Sequence, residues 1–516
     1  MPTARRFAWS GYAHDPLKIR TGRKDGMLSG VPTFVSCLRI SARENEVMSL
    51  SPRFTRLVLL GISYAALLDA QETNPAAPAP ANPDAAMLRR IYDAALTDSP
   101  AYAHLAELTG QFPGRLSGSK KLDGAVRWAK SILDQMSLDR TELQPVMVPH
   151  WERGASELVQ YSDAAGAQPV ELTATALGGS VPTPEGGLVA PVIELHSLDE
   201  LKAAPVQGKI VFFNRPMNPT IINPGRAYGE AGDQRFRGPA EAAKHGAVGV
   251  LVRSLTHKLD DIPHTGTTTY LPDVPRIPAA ALSTVAANRL SAALAANPSL
   301  TLAMQIHSQW LEDAPSHNVI GELKGTEFPG KIILVGGHLD SWDITPGAHD
   351  DGAGVVQSIE VLRLLKAVGY RPRHTLRCVL FVNEENGLRG GLEYARLAGE
   401  KKEEHLLALE SDSGGFQPHG FQLGNTAGNA AAHAAGWQSL FEPYGHLVIR
   451  DGTGGADVGP LMARGFVVGE LVTESQRYFD IHHTRADTID QVNPRELQLG
   501  AAALAALVYL TDQHGL

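Results

Sequence analysis

Cysteine is almost missing from this chain. Cys37 and Cys378 are the only two in 516 residues, too few and too far apart for a disulfide framework or a thiolate metal cage, so any bound metal must rely on imidazole and carboxylate. Dense runs of Lys and Arg are missing from the body of the chain as well. With a formal charge of -9 and a pI near 6.1, a nucleic-acid polyanion is an unsuitable partner. The chain has no Gly-x-Ser-x-Gly elbow, no His-Glu-x-x-His and no Gly-x-x-x-x-Gly-Lys-Ser/Thr, which weighs against serine hydrolases, single-zinc proteases and nucleotidases. What is present, 43% apolar and 20% charged residues, is ordinary globular composition for more than one domain.

The amino-terminal part reads as three segments. Residues 1–47 are basic, lack hydrophobic periodicity and precede Met48, as expected of a non-native or disordered extension, in which case Cys37 is absent from the mature protein. In 48–70, Arg53 and Arg56 lead into an apolar run at 57–68 and then Asp69-Ala70-Gln71, the charged, apolar and small-residue regions of a signal peptide. That run is too short to span a bilayer. Residues 71–86 are a Pro/Ala/Asn linker. The expectation is a secreted or periplasmic protein without stable membrane insertion after signal removal.

From 87 to about 151 the apolar spacing predicts mostly helix, with Leu88, Ile91, Tyr92 and Ala95 on one face and a second helix over 123–136. The intervening Pro113-Gly114-Arg115-Leu116-Ser117-Gly118-Ser119 is a turn-rich loop. Residues 158–306 change texture to short β-branched strands, Gly/Pro turns and Ala-rich helices. Few acids and histidines cluster there, so this stretch reads as a separate module without chemistry, and His264 as a loop histidine. From 307 to 516 apolar strands alternate with helices. Residues 87–157 and 307–516 therefore predict one α/β domain with a mixed, largely parallel sheet flanked by helices, interrupted by the inserted 158–306 domain.

The chemistry-bearing residues fall at the carboxyl ends of the predicted strands, where ligand sites form in such sheets. His338-Leu339-Asp340-Ser341-Trp342-Asp343 and Asp350-Asp351-Gly352 follow the strand at 331–335. Glu384-Glu385 follow 375–382, Asp412 follows 406–409, and His482-His483 with Asp487 follow 466–472. Carboxylates gathered at one mouth repel and raise one another's pKa unless cations neutralise them. Two histidines plus carboxylates without thiolate suit zinc or a related first-row ion.

These motifs, in this order, resemble the zinc aminopeptidase and glutamate carboxypeptidase family, especially its plasma glutamate carboxypeptidase (carboxypeptidase Q-like) branch. Residues 110–120 are similar to that family's Gly-Arg-Leu-Ser-Gly-Ser loop, and the middle module is similar to its inserted protease-associated, β-rich domain. The resemblance implies two zinc ions, one held by His338, Asp350 and Asp412, the other by Asp350, Glu385 and His483, with Asp350 shared. It implies Glu384 as general base, moving a proton from metal-activated water to the leaving amine. Asp340 and Asp487 would orient His338 and His483, and a cis peptide would join Asp350 to Asp351. Tyr478, His482 and Asp457 are candidates for contacting substrate or an oxyanion, although a core tyrosine, a pocket wall and a helix cap are equal readings of them. The implied substrate is a dipeptide or short peptide, and relatives suggest a homodimer.

Two other functions fit the same fold. One is an acyltransferase of glutaminyl cyclase type, which usually works with one zinc and lacks an insert. The other is a catalytically inactive binding protein like the transferrin receptor, which should have lost ligands or base. Whether the amino or the carboxyl end of a peptide is read stays open at this point, because candidates for either terminus are present.

Overall fold

The computed structural model describes residues 82–162 and 168–516. The proposed extension, the signal peptide and all of the linker up to residue 81 lie outside the described residues. The first helix, α1 (Pro83–Thr97), starts inside the stretch read as linker. Asn82 accepts from the backbone N–H of Asp84 at 2.9 Å and Pro83 occupies the first helical position, a capped start that hydrophobic spacing alone does not mark. Helices α2 (Ala101–Gln111) and α3 (Lys120–Gln135) follow.

The mostly helical reading of 87–151 fails beyond α3. Arg140–Glu152 is a strand, β1, in which Val146 and Val148 are buried while Met147 is exposed, the two-residue alternation of a half-buried strand. It pairs antiparallel with β2 (Gln309–Leu323). Glu152 lies opposite Gln309, so the chain leaves and re-enters this sheet at one point, and everything between is an insertion into a β-ribbon.

The sheet continues with β3 (Phe328–His338), β4 (His374–Phe381), β5 (Glu404–Glu410), β6 (Pro418–Gly424), β7 (Val448–Asp451) and β8 (Val468–Thr473) in the spatial order β1-β2-β4-β3-β5-β8-β6-β7. The four central strands β4, β3, β5 and β8 are mutually parallel, while β1, β2 and β6 pair antiparallel with their inner neighbours. A mixed sheet is thus found, parallel where the site residues originate. Helices α4 (Ala353–Ala367) and α6 (Pro494–His514) are buried over most of their lengths, as helices apolar on every side must be. They form the main core with α1 and α2, and α5 (Arg389–Glu400) covers the other face.

Residues 157–306 build a second eight-stranded sheet around Leu188–Leu195, Ile210–Phe213, Gly249–Arg253 and Ala279–Leu282, with its own apolar clusters. A further cluster joins Met217, Ala227, Ala231 and Leu255 to Phe416, Tyr478, Phe479 and Ile481, so the insertion packs directly against the loops beyond β5 and β8. No helix among the described residues is long and apolar enough to cross a membrane.

Candidate metal centre

The ends of β3, β4, β5 and β8 meet at one place. His338 Nε2 lies 3.2 Å from Asp350 Oδ1 and 3.4 Å from Asp412 Oδ1. His483 Nε2 lies 3.3 Å from Asp350 Oδ2 and 3.2 Å from Glu385 Oε2. Atoms sharing a tetrahedral zinc at about 2.0–2.1 Å are roughly 3.3 Å apart, and these separations match. His338, Asp350 and Asp412 form one group with ligand atoms within 4.8 Å of one another, and Asp350, His482 and His483 form another. Among the described residues, the ion-pair partners of these three carboxylates are imidazoles only. Asp350 Oδ2 is buried without a hydrogen bond. Carboxylates so placed, Asp350 and Glu385 buried and Asp412 half-buried, are stabilised by a cation, and the donor set fits two zinc ions sharing Asp350.

The electrostatics point the same way. Burial alone would raise the Asp350 carboxyl, but the imidazoles of His338, His482 and His483 outweigh it and hold the group below the usual carboxylate range. Burial and the charge of Asp350 push Glu385 well up. Burial, with His482 beside it, pushes His483 well down. Burial lowers His338 too, yet Asp412 and Asp350 reverse the sign and raise it. Glu384 stands part-exposed at the mouth; desolvation, with Asp412, Asp340 and Asp350 nearby, pushes its carboxyl up to about 8, a range suited to proton transfer near neutrality.

The expected supports are present with altered roles. His338 Nδ1 faces the backbone oxygen of Asp340 at 3.1 Å, whereas the Asp340 carboxylate is 3.9 Å away. That carboxylate instead accepts the backbone N–H groups of Glu384 and Glu385 at 3.1 and 3.4 Å, holding base and neighbour in place. Asp487 does not reach the His483 ring as expected. It accepts from the N–H groups of His349 and Asp350 at 2.8 and 3.0 Å, and His483 Nδ1 turns to the Thr265 carbonyl at 3.3 Å. The Asp350–Asp351 peptide is cis. Asp351 Oδ2 accepts from His338 N–H at 2.9 Å.

Of the remaining candidates, His482 stacks on His483 with ring centroids 3.6 Å apart and reaches Asp350 Oδ2 at 3.5 Å, while only His483 of the two also pairs with Glu385. Tyr478 packs against the His482 ring. Asp457 is buried with neither oxygen hydrogen-bonded. Its carboxylate oxygen lies 2.8 Å from where a Cβ on Gly391 would sit, in the first turn of α5, the position of an acid at a helix amino terminus.

Sequence reasoning missed Arg115. It is fully buried and donates to the carbonyls of Leu339 and Pro346 at 2.6 Å and of Gly347 at 3.0 Å, tying the loop after β3 into shape. The Gly/Ser-rich neighbourhood was its signal, since a long cation inside a turn segment needs acceptors. His264 lies on a loop, as expected, but is buried with neither ring nitrogen hydrogen-bonded, and burial with His482 beside it drives its pKa down to about 3.

Residues 318–508 match the model of peptidase family M28. The chain is similar to human carboxypeptidase Q, 34% identical over 80% of this chain and 84% of that protein, and to carboxypeptidase Q of Xenopus laevis, 35% identical over 80% and 85%. It is also similar to the crystal structure of a peptidase M28 precursor from Shewanella amazonensis, with TM-score 0.78, 33% identity and coverage of 83% of this chain and 96% of that one. A zinc aminopeptidase from Bacillus subtilis shares the fold at TM-score 0.59 and 20% identity, over 80% and 95% of the two chains.

Proposed function

The chain belongs to peptidase family M28, a metallo-exopeptidase hydrolase, and from that premise we propose that it is a secreted two-zinc enzyme that cleaves dipeptides or short peptides. The observation that carries this reading is the convergence of His338, Asp350, Glu385, Asp412 and His483 at separations suited to shared ions. Export rests on the 48–70 segment. The inserted residues 158–306 are read as a protease-associated-type domain.

His338, Asp350 and Asp412 would hold one ion, and Asp350, Glu385 and His483 the other. When bound, the ions supply the positive charge that acidifies a water molecule and polarises the scissile carbonyl. The protein's own groups do the rest. Glu384 accepts the proton from the attacking water at a carboxylate oxygen, then gives it to the departing amine nitrogen. Asp340 fixes the backbone that carries Glu384 and Glu385 by accepting both N–H groups. The carbonyls of Asp340 and Thr265 can only accept, so the Nδ1 atoms of His338 and His483 carry the protons and each Nε2 lone pair is free for a metal.

An acyltransferase or an inactive binding protein is a weaker reading, because the complete ligand set and the base are retained. Removing metal with a chelator and adding zinc back, while following dipeptide hydrolysis, tests the proposal: activity should vanish and return. Digestion of a peptide library, read by mass spectrometry, assigns the direction of attack, and internal cleavage of long peptides would contradict an exopeptidase.

A further inference from the structure

The two halves of the ligand cluster are supported from different parts of the chain. On one side, His338 is fixed by the Asp340 carbonyl and the Asp351 carboxylate, both on the loop after β3. On the other, two stretches of the insertion, 175–180 and 264–268, close over Glu385 and His483. They are joined to each other by Gly178 N–H to Gly266 O and Thr268 N–H to Gly178 O, each 2.9 Å.

Thr265 grips His483 twice. Its N–H donates to the His483 carbonyl at 3.1 Å, and its own carbonyl receives His483 Nδ1 at 3.3 Å. The same carbonyl accepts from Arg235 Nη1 at 3.3 Å. Arg235 is buried and its Nε has no hydrogen-bond partner. The loop passes under its guanidinium only because residue 266 is glycine: its φ is +140° and a Cβ would lie 2.5 Å from Arg235 Cζ.

Glu385 is held similarly. Thr267 Oγ1 donates to the Glu385 carbonyl at 3.2 Å. The Trp342 N–H donates to Glu385 Oε1 at 3.1 Å, and the Trp342 ring lies so close to Gly178 that a Cβ there would be 1.9 Å away. Behind this contact, Arg153 clamps Asp343 at 2.6 and 2.7 Å and donates to the Ala176 carbonyl at 2.6 Å, and Thr265 Oγ1 donates to that carbonyl at 2.9 Å.

We infer that the 264–268 loop is a positioning element for one ion only, the one held by Asp350, Glu385 and His483, while the ion at His338 and Asp412 is set by the sheet's own loops. The inference rests on the two-zinc reading above. Thr265, Thr267 and Arg235 act through His483 and Glu385, and need not touch substrate. Partners of this kind typically change metal affinity by about 10- to 100-fold.

The test uses the full chain loaded with zinc, dialysed against graded concentrations of a soluble chelator, with zinc per chain counted by mass spectrometry and the visible spectrum of the cobalt-substituted protein recorded in parallel. Gly266→Ala should release one ion at about 10- to 100-fold lower chelator concentration than the parent, leave the release of the other unchanged, and alter only part of the cobalt spectrum. Thr267→Val, nearly equal in volume, should give a smaller shift of the same single step even if Gly266→Ala does not fold, and Thr267→Ser should restore it. Release of both ions in step with each other, or at parental concentrations in the folded variants, overturns the inference. A parent chain that never holds two ions removes the two-zinc reading itself.

Discussion

His338 and His483 present the same nitrogen to the same aspartate, yet one is oriented from within its own sheet and the other from a segment inserted more than 150 residues earlier in the chain. The sheet-held side uses a loop that Arg115 fastens through three carbonyls. The insertion-held side uses the 264–268 loop, in which Thr265 shares the Ala176 carbonyl with Arg153, itself paired with Asp343 on the loop after β3. Similar ligand geometry therefore does not imply similar rigidity: one side depends on a single layered core, the other on how that core and the inserted sheet pack together.

The comparison is broken most completely at the residue both sides share. Asp350→Ala should lose both ions and all measurable peptide hydrolysis, as metal counting and assay together would reveal; retention of two ions would show that Asp350 bridges nothing. Glu384→Gln comes next and leaves both sides intact. Two ions should remain while kcat falls by about 10²- to 10⁴-fold, the usual contribution of a general acid–base, and equal turnover in variant and parent would remove the proposed base.

Arg115→Met attacks the loop after β3, which orients His338 and also carries the Trp342 N–H bonded to Glu385. Two buried carbonyls and one part-buried carbonyl would lose their donor, each buried deficit costing about 1–3 kcal/mol, so chemical denaturation should report a loss of about 2 kcal/mol or more. A change below about 0.5 kcal/mol, the usual scale of surface substitutions, would show that the loop holds its shape without the guanidinium.

The smallest effect concerns pH. Glu384 acts as a base only when ionised, and burial with its acidic neighbours raises it from near 4.5 up to about 8. Bound cations act against that rise. The acid limb of kcat/KM should therefore lie between those two values, with activity climbing as pH increases, and a profile flat across this interval would contradict the assignment.

The ligands of both sides were legible in the sequence, whereas the insertion's support for one of them was not. Strands β3, β4, β5 and β8 announce themselves as apolar runs leading to His338, Glu384, Asp412 and the His482-His483 pair, because metal chemistry restricts residue types. The mixed edges were harder. The strand Arg140–Glu152 follows a helix without a strong break, and β6 and β7 lie in a stretch with no ligand residues. The insertion's contribution left no compositional trace, since Thr265 works through its peptide group and Thr267 through a hydroxyl on a backbone oxygen. Asp487 was misassigned for a related reason: spacing placed it near His483, but its oxygens are taken by two N–H groups of the 349–350 backbone.

The central claim is that five side chains from four strand ends enclose a pair of cations. Counting zinc in the purified, zinc-supplemented protein after gel filtration tests it most directly. The account predicts two tightly held ions per chain, both lost in Asp350→Ala; a parent chain that retains one ion or none would contradict it.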